Sequence, residues 1–413
     1  MLRRRKFLQS GSLALAATAG CTVPDFGGGS GRGADTQAGV IWDRRYSGNR
    51  AVRFLDIVSV STGGFLLVGF TTSNLQTPDC GFALRTDDEG TEQWRHTVSE
   101  TTALLAAIEG TDEEFVAATY RATGSGGTGD SGAVALNDDG TERWRTSLSE
   151  SGQSQLGTVA QVPDGRYALG GVDRSRGWLV RLESDGSIRT TRRPVLESVP
   201  LSNVIDLQGS ASGLTVLASG GDAGTGDEWG VLFRLASAGS MAWGRRYDQQ
   251  FSQAAVTDDG YALLGRENRP SFDPDVFLPP RPQIVVVDRG GSVTDSRAYG
   301  SSGEAHWFIE EALLPTPDGG FVIGGRYEPW EELGTRRGSL ILRTHPSADS
   351  VAWARLHDEG ERVWALARAG THDVFTDTVD DQRRARLVRF DQPQRSNVDL
   401  QATTVSGPTS EPL

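Results

Sequence analysis

The residues that most often carry out chemistry in proteins are scattered along this chain. Its five histidines lie in different parts of the sequence and lack the spacing of metal ligands. The sequence contains no G-x-S-x-G nucleophile turn and no Walker loop. Its Asp-Gly turns do not extend into a calcium-binding loop with a distal glutamate. We therefore predict no catalytic residue, no metal site and no cofactor, although residues from several repeats could still converge in space.

One cysteine does have a predicted chemistry. The first residues match a twin-arginine export signal, carried by Arg4, Arg5, Phe7 and Leu8. The sequence TAGC that ends at Cys21 resembles a lipobox, in which the cysteine is lipidated and becomes the new N-terminus. We expect residues 1–21 to be the signal and residues 22–38, rich in glycine, to be a flexible tether. The chain would then be exported and anchored by lipid to the outer face of the cytoplasmic membrane.

Composition restricts the remaining partners. The formal net charge is −13, and Lys6 is the only lysine among 41 basic residues. This acidic, arginine-based composition is typical of halophilic proteins, and a GC-rich genome would produce a similar bias. No basic stretch could track phosphates, so nucleic acid is excluded as a partner. Cys80 is left without a second cysteine for a disulfide, and we interpret it as a small, semi-buried residue.

A sequence repeat determines the secondary-structure elements that would position any functional site. A tryptophan recurs about every fifty residues after an apolar run and an Asp/Gly turn, and it is replaced in two units by Thr190 and Asp295. The five recurring residues are Trp42, Trp94, Trp144, Trp243 and Trp353. A period of this length indicates an array or a closed ring. We interpret the five tryptophans as structural residues that dock one repeat on the next.

Each repeat predicts four short strands. Residues 54–97 illustrate the pattern, with apolar or alternating runs separated by Gly/Asp turns. The last repeat lacks its outer strand, and a matching strand stands alone at residues 40–44. We therefore predict an all-β, seven-bladed β-propeller of four-stranded antiparallel blades over residues 39–391, in which the N-terminal strand closes the last blade. Residues 392–413 are expected to form a polar C-terminal tail.

The repeat motifs resemble those of a known family. Glycine followed three residues later by tryptophan, as in Gly90-x-x-x-Trp94, is similar to the blade ends of PQQ-type (quinoprotein-like) propellers of bacteria and archaea. The quinone-dependent enzymes of that group hold their cofactor beneath a vicinal Cys-Cys ring. This chain has only Cys21 and Cys80, so the resemblance implies the architecture and not the cofactor.

Loop lengths favour one end of the propeller as the binding surface. In a blade with strands A to D from the axis outward, the long connections here are mostly B–C and D–A, and loops on a rigid scaffold usually carry binding. The candidate binding residues on or beside these loops are His306, Trp307, Tyr327, Trp330, Phe272 and Phe277. The same aromatics could instead pack their loops onto the blades. We predict a binding or scaffold module for an unknown protein, glycan or small molecule. The alternatives are an exported redox or hydrolytic enzyme with a site at the axial mouth, and a purely structural surface protein.

Overall fold

The computed structural model describes most of the chain from residue 40 onward. The described residues are 40–48, 50–74, 78–98, 101–111, 114–123, 129–149, 152–196, 199–211, 213–221, 228–237, 239–267, 281–300, 306–329, 338–357, 360–379, 384–391, 396 and 400–413. Every regular element among them is a β-strand. The predicted signal, the lipidation site and the tether lie outside the described residues.

Seven antiparallel sheets follow one another along the chain, and we number them as blades 1 to 7. The strands of blades 1 to 3, in the order A to D, are β2 (Ala51–Ser59), β3 (Phe65–Thr72), β4 (Cys80–Thr86) and β5 (Glu92–Thr97); β6 (Ala103–Glu109), β7 (Glu114–Ala122), β8 (Gly129–Asn137) and β9 (Glu142–Ser149); β10 (Ser154–Gln161), β11 (Tyr167–Asp173), β12 (Arg176–Leu182) and β13 (Ile188–Arg192). A short hairpin of β14 (Val195–Leu196) and β15 (Val199–Pro200) connects blade 3 to blade 4.

The remaining blades repeat this order. Their strands are β16 (Asn203–Ser210), β17 (Gly213–Gly221), β18 (Glu228–Leu235) and β19 (Met241–Tyr247); β20 (Phe251–Val256), β21 (Gly260–Glu267), β22 (Arg281–Asp288) and β23 (Val293–Gly300); β24 (His306–Pro315), β25 (Phe321–Pro329), β26 (Gly338–Thr344) and β27 (Val351–His357); β28 (Gly360–Ala369), β29 (His372–Val379) and β30 (Arg384–Phe390).

The ring closes through the first strand. Strand β1 (Val40–Tyr46) pairs antiparallel with β30, with Arg44 opposite Leu387, and supplies the outer strand of blade 7. The A strands contact one another all the way round, from β2 through β6, β10, β16, β20 and β24 to β28, which touches β2 again. The predicted seven-bladed propeller with an N-terminal closing strand is therefore confirmed. Closure through hydrogen bonds leaves no gap between the first and last blades.

The sequence pattern explains why these sheets form and stack. Strands B and C are apolar on both faces, as in Phe65–Thr72, because each lies between two neighbouring blades and is buried from both sides. Every A strand carries a register irregularity, as between Phe54 and Asp56 in β2. A bulge inserts an extra residue and increases the local twist. The bulge lies at a similar position in each A strand, and it determines which side chains of that strand face the axis.

The C-terminal segment extends two blades beyond the predicted four strands. Strand β31 (Gln401–Thr404) pairs with β23, and β32 (Ser410–Pro412) pairs with β19, so blades 4 and 5 each have five strands. Asp248 accepts hydrogen bonds from the Thr409 amide (2.9 Å) and hydroxyl (2.7 Å). The polar segment thus covers two outer sheet edges that would otherwise be open to pairing with another chain.

Candidate functional site

The recurring tryptophans lie at the interfaces between blades. Trp94 of blade 1 packs against the turn of blade 2, where its indole Nε1 donates to the Asp138 carbonyl (2.6 Å). A Cβ added at Gly140 of that turn would lie 2.8 Å from the indole ring, which explains the glycine. Trp42, Trp144 and Trp243 cover Gly90, Gly186 and Gly291 of the next blade in the same way, and Trp353 packs edge-on against Phe390. These contacts are those expected of residues that dock one blade on the next.

A second set of contacts joins neighbouring A strands near the axis, made by three side chains that each follow a bulge. Asp56 Oδ2 accepts the Ala107 amide of the next blade at 2.9 Å. Asp206 Oδ2 accepts the Ala254 amide at 3.0 Å, and Gln253 Oε1 accepts the Leu313 amide at 2.7 Å. These side chains latch neighbouring A strands together with charge-assisted or amide hydrogen bonds.

Asp56 is a carboxyl group near the axis whose pKa is raised. Burial raises the pKa of Asp56 to about 6, the amides of Ala107 and Ile57 oppose this shift, and the charge of Asp206 adds to it. A carboxyl of this kind could in principle act as an acid or base. Both Asp56 oxygens, however, already accept backbone amides, from Ile57 (2.9 Å) and Ala107. The geometry assigns Asp56 to the latch between blades 1 and 2.

The axial mouth brings charged and aromatic side chains together where β2 and β28 begin. Arg53 is 3% exposed, and its guanidinium lies 5.9 Å from the centre of the Phe70 ring. Burial lowers the pKa of Arg53 to about 10, although Glu361 on β28 raises it. The Arg362 guanidinium stacks 5.0 Å from the Trp364 ring, and both side chains are partly exposed. We call Arg53, Glu361, Arg362 and Trp364 the mouth cluster.

A buried ionic network supports the strand that carries this cluster. Asp377, fully buried on β29, receives a bidentate pair of hydrogen bonds from Arg386 and a hydroxyl hydrogen bond from Ser339 of blade 6 (2.8 Å). Burial raises the pKa of Asp377, and Arg386 opposes this shift. A side chain at Gly360 would collide with Asp377 and Ser339, so the start of β28 rests directly on the network.

Among the described residues, no other blade carries a carboxylate at the position of Asp377. Asp377 pairs across the A-strand bulge of blade 7, where the corresponding residues of other blades include Gly69, Thr119 and Gly171. The network was not predicted from the sequence, although the seven B strands aligned position by position place one carboxylate, Asp377, among small residues. Because Asp377 departs from the repeat in blade 7 alone, it indicates a role specific to that blade, in closure of the ring or in support of the mouth cluster.

The predicted binding residues are placed only in part. Tyr327 is 7% exposed and belongs to the core between blades 5 and 6, so it has little surface to offer a ligand. The backbone of His306 and Trp307 lies at the start of β24, paired with Pro329 and Glu328. Phe272, Phe277 and Trp330 lie outside the described residues. Cys80 is 1% exposed, more deeply buried than the semi-buried residue we expected.

Across residues 40–413, apart from the gaps given above, no group of three or more His, Cys, Asp or Glu side chains is arranged to hold a metal ion. The same residues include no helix with the length and apolar character of a membrane span.

Comparisons with known proteins add little to this geometry. No family model matches the chain, and no curated protein matches it. A solved structure of a protein of unknown function from Bacteroides caccae is similar over 62% of this chain and 90% of that chain, with 13% sequence identity and a TM-score of 0.39. A similarity at this level carries no argument about activity. The resemblance to PQQ-type repeats therefore stays a prediction.

Proposed function

We propose that this chain is an exported, lipid-anchored propeller that binds a protein, glycan or small molecule at the end of the ring formed by the B–C and D–A connections. The fold supports a binding or scaffold role in general, because propellers present loops on a rigid frame. The mouth cluster is the observation that carries the more specific proposal. Arginine and tryptophan are the side chains most often found as binding anchors.

The arrangement of the mouth cluster suits recognition better than bond cleavage. Arg362 and Trp364 form a cation–π pair that offers a flat, amphipathic surface, while Glu361 adds an acceptor beside it. The buried network of Asp377 and Arg386 holds strand β28, which carries Arg362 and Trp364, in place. A strand that is already held in place loses less conformational entropy on binding. The nearby carboxylates of Asp56 and Asp206 serve as latches between blades, so they are not the paired acid and base that hydrolysis would need.

A site-specific photo-crosslinker tests the binding surface. A benzophenone amino acid placed at Glu361 should capture a partner in the native membranes. The same group at Asp139, exposed in the C–D turn at the opposite end of blade 2, is the matched control. We expect adducts from position 361 that disappear when Trp364→Ala is added. Adducts from position 139 alone, or adducts from 361 that persist in the Trp364→Ala variant, would contradict the proposal.

The membrane anchor is tested separately. The order of Arg4, Arg5 and the sequence ending at Cys21 supports lipidation. Cys21→Ser should move the protein from the membrane fraction to the soluble exported fraction, with unchanged thermal unfolding. Firm membrane association of the Cys21→Ser protein would defeat the anchor without affecting the binding surface.

A further inference from the structure

The interface between blades 3 and 4 lacks its docking tryptophan. Thr190 stands at that position in β13, opposite Arg181 of β12. The turn glycine of blade 4 is retained as Gly239, but the group nearest to it is the Arg181 guanidinium, whose Nη1 would lie 3.2 Å from an added Cβ. A guanidinium therefore occupies the region that an indole covers at Gly90, Gly140, Gly186 and Gly291.

In blade 6, the arginine at the position of Arg181 forms an ion pair with the carboxylate of the A–B turn. Arg343 of β26 corresponds to Arg181 and donates to Asp318 in the A–B turn of its own blade (2.8 Å). Asp164 is the equivalent carboxylate of blade 3, but Arg166 pairs with it and also with Glu183 (2.7 Å). Within the described residues, the guanidinium of Arg181 has no ion pair and no hydrogen bond.

Beside the Arg181 guanidinium lies a pocket that is open to solvent. Arg166, Arg181 and Arg189 line it together with Asp164, and Glu183, which is not among the lining residues, pairs with both Arg166 and Arg189. Its remaining walls include Val162, Pro163 and Leu214, which are poor at solvating charge. Burial lowers the pKa of Arg181, and the positive charges of Arg192, Arg189 and Arg166 act in the same direction, while Asp164 opposes them. The four arginines around this point, including Arg192, thus outnumber the two carboxylates Asp164 and Glu183, although the whole chain has a net charge of −13.

We propose that this pocket binds a compact oxyanion, a carboxylate or phosphate group, between the guanidinium of Arg181 and those of Arg166 and Arg189. The planar fork of arginine matches both groups and binds them through paired hydrogen bonds. The site lies at the A–B and C–D end of the ring, away from the mouth cluster, and is independent of the function proposed above.

Calorimetric titration of the full chain with inorganic phosphate and, separately, with acetate tests the site at constant ionic strength with chloride as the balancing anion. We expect saturable binding of at least one anion, and the tighter of the two identifies the group recognised. Arg181→Gln should weaken binding at least tenfold. Arg234→Gln is the matched control, because Arg234 holds the same position in blade 4 opposite an intact Trp243; its affinity should stay within twofold of the wild type.

Thr190→Trp tests the same site by filling it. A restored indole should cover Gly239, raise the melting temperature and weaken anion binding at least tenfold. This variant decides the question if Arg181→Gln does not fold. Absence of saturable binding by both anions in the wild type, or wild-type affinity in the Thr190→Trp protein, would overturn the proposal.

Discussion

Blade interfaces that keep the docking tryptophan differ from those that have lost it. Between blades 1 and 2, Trp94 lies on Gly140 and donates a hydrogen bond to the turn beside it. Between blades 5 and 6, Asp295 replaces the tryptophan, and the turn residue is Ala348, which adopts the same left-handed conformation with φ 56°. Between blades 3 and 4, the glycine remains but an arginine covers it.

The difference shows that glycine is needed at this position because an indole ring packs on it, more than because the turn itself requires glycine. Ala348 donates its amide to the His345 carbonyl in the same turn hydrogen bond that Gly140 makes with Asn137. A Cβ is therefore compatible with the turn, at some cost in backbone strain, where the docking tryptophan is replaced by Asp295. Tryptophan and glycine therefore act as a pair across the interface. Where the tryptophan is lost, the turn either accepts a side chain, as at Ala348, or adjoins an open pocket, as at Gly239.

Removal of a docking indole should have the largest effect. Trp94→Ala deletes the ring that packs against Gly140 and Phe115, and we expect a loss of about 3 kcal/mol in the free energy of unfolding. Thr190→Ala, at the equivalent position of blade 3, should change it by less than about 0.5 kcal/mol. Guanidinium unfolding of both variants gives the comparison, and equal losses would show that the tryptophan contributes nothing special to docking.

Addition of a Cβ to the turn should have the next largest effect. Gly140→Ala forces a left-handed alanine against the Trp94 ring, and strain and overlap together should cost about 2 kcal/mol. Ala348→Gly relieves the strain at the interface that has no docking tryptophan, and it should stay within about 1 kcal/mol of the wild type. The same unfolding measurement decides this, and a small cost at Gly140 would contradict the indole–glycine unit.

A buried histidine at the interface between blades 6 and 7 makes the stability of the protein depend on pH. His357 is 3% exposed beside Phe375, and burial lowers its pKa to about 3, with Arg386 and Arg355 acting in the same direction. Between the unfolded pKa near 6.5 and the folded value, the unfolded chain binds a proton that the folded chain does not. The stability contributed by neutral His357 is therefore complete above pH 6.5 and falls as the pH is lowered.

The expected size of this effect is about 1 kcal/mol between pH 6.5 and 5.5. His357→Leu should remove that part of the pH dependence, as judged by guanidinium unfolding at the two pH values. His345→Leu, at an exposed turn residue of blade 6, is the control and should leave the dependence in place. An unchanged slope in the His357→Leu protein would show that His357 is not the group responsible.

The ring and its closure could be predicted from the sequence because the docking unit repeats. Counterparts of Trp94 and Gly140 recur about every fifty residues, and the apolar B and C strands follow from burial between blades. The strands of residues 401–412 could not be predicted, since they pair through backbone groups at an outer edge and carry no apolar alternation.

The candidate site was harder to predict for a different reason. Arg53 and Glu361 are separated by most of the chain and meet only because the ring closes. Arg181 looked like its counterparts in other blades, and only the pairing of Arg166 with Asp164 shows why its environment differs. Contacts of this kind depend on which neighbour takes a shared partner, and a linear pattern does not contain that information.

Both the mouth cluster and the docking interfaces depend on strand β1 completing blade 7. Hydrogen–deuterium exchange of the full chain, followed by mass spectrometry of the peptide that covers Val40–Tyr46, tests this directly. Amides paired with β30 should be protected as strongly as those of β9, an outer strand within a continuous blade. Complete exchange of that peptide within seconds, at the rate of an unstructured chain, would contradict the closed ring.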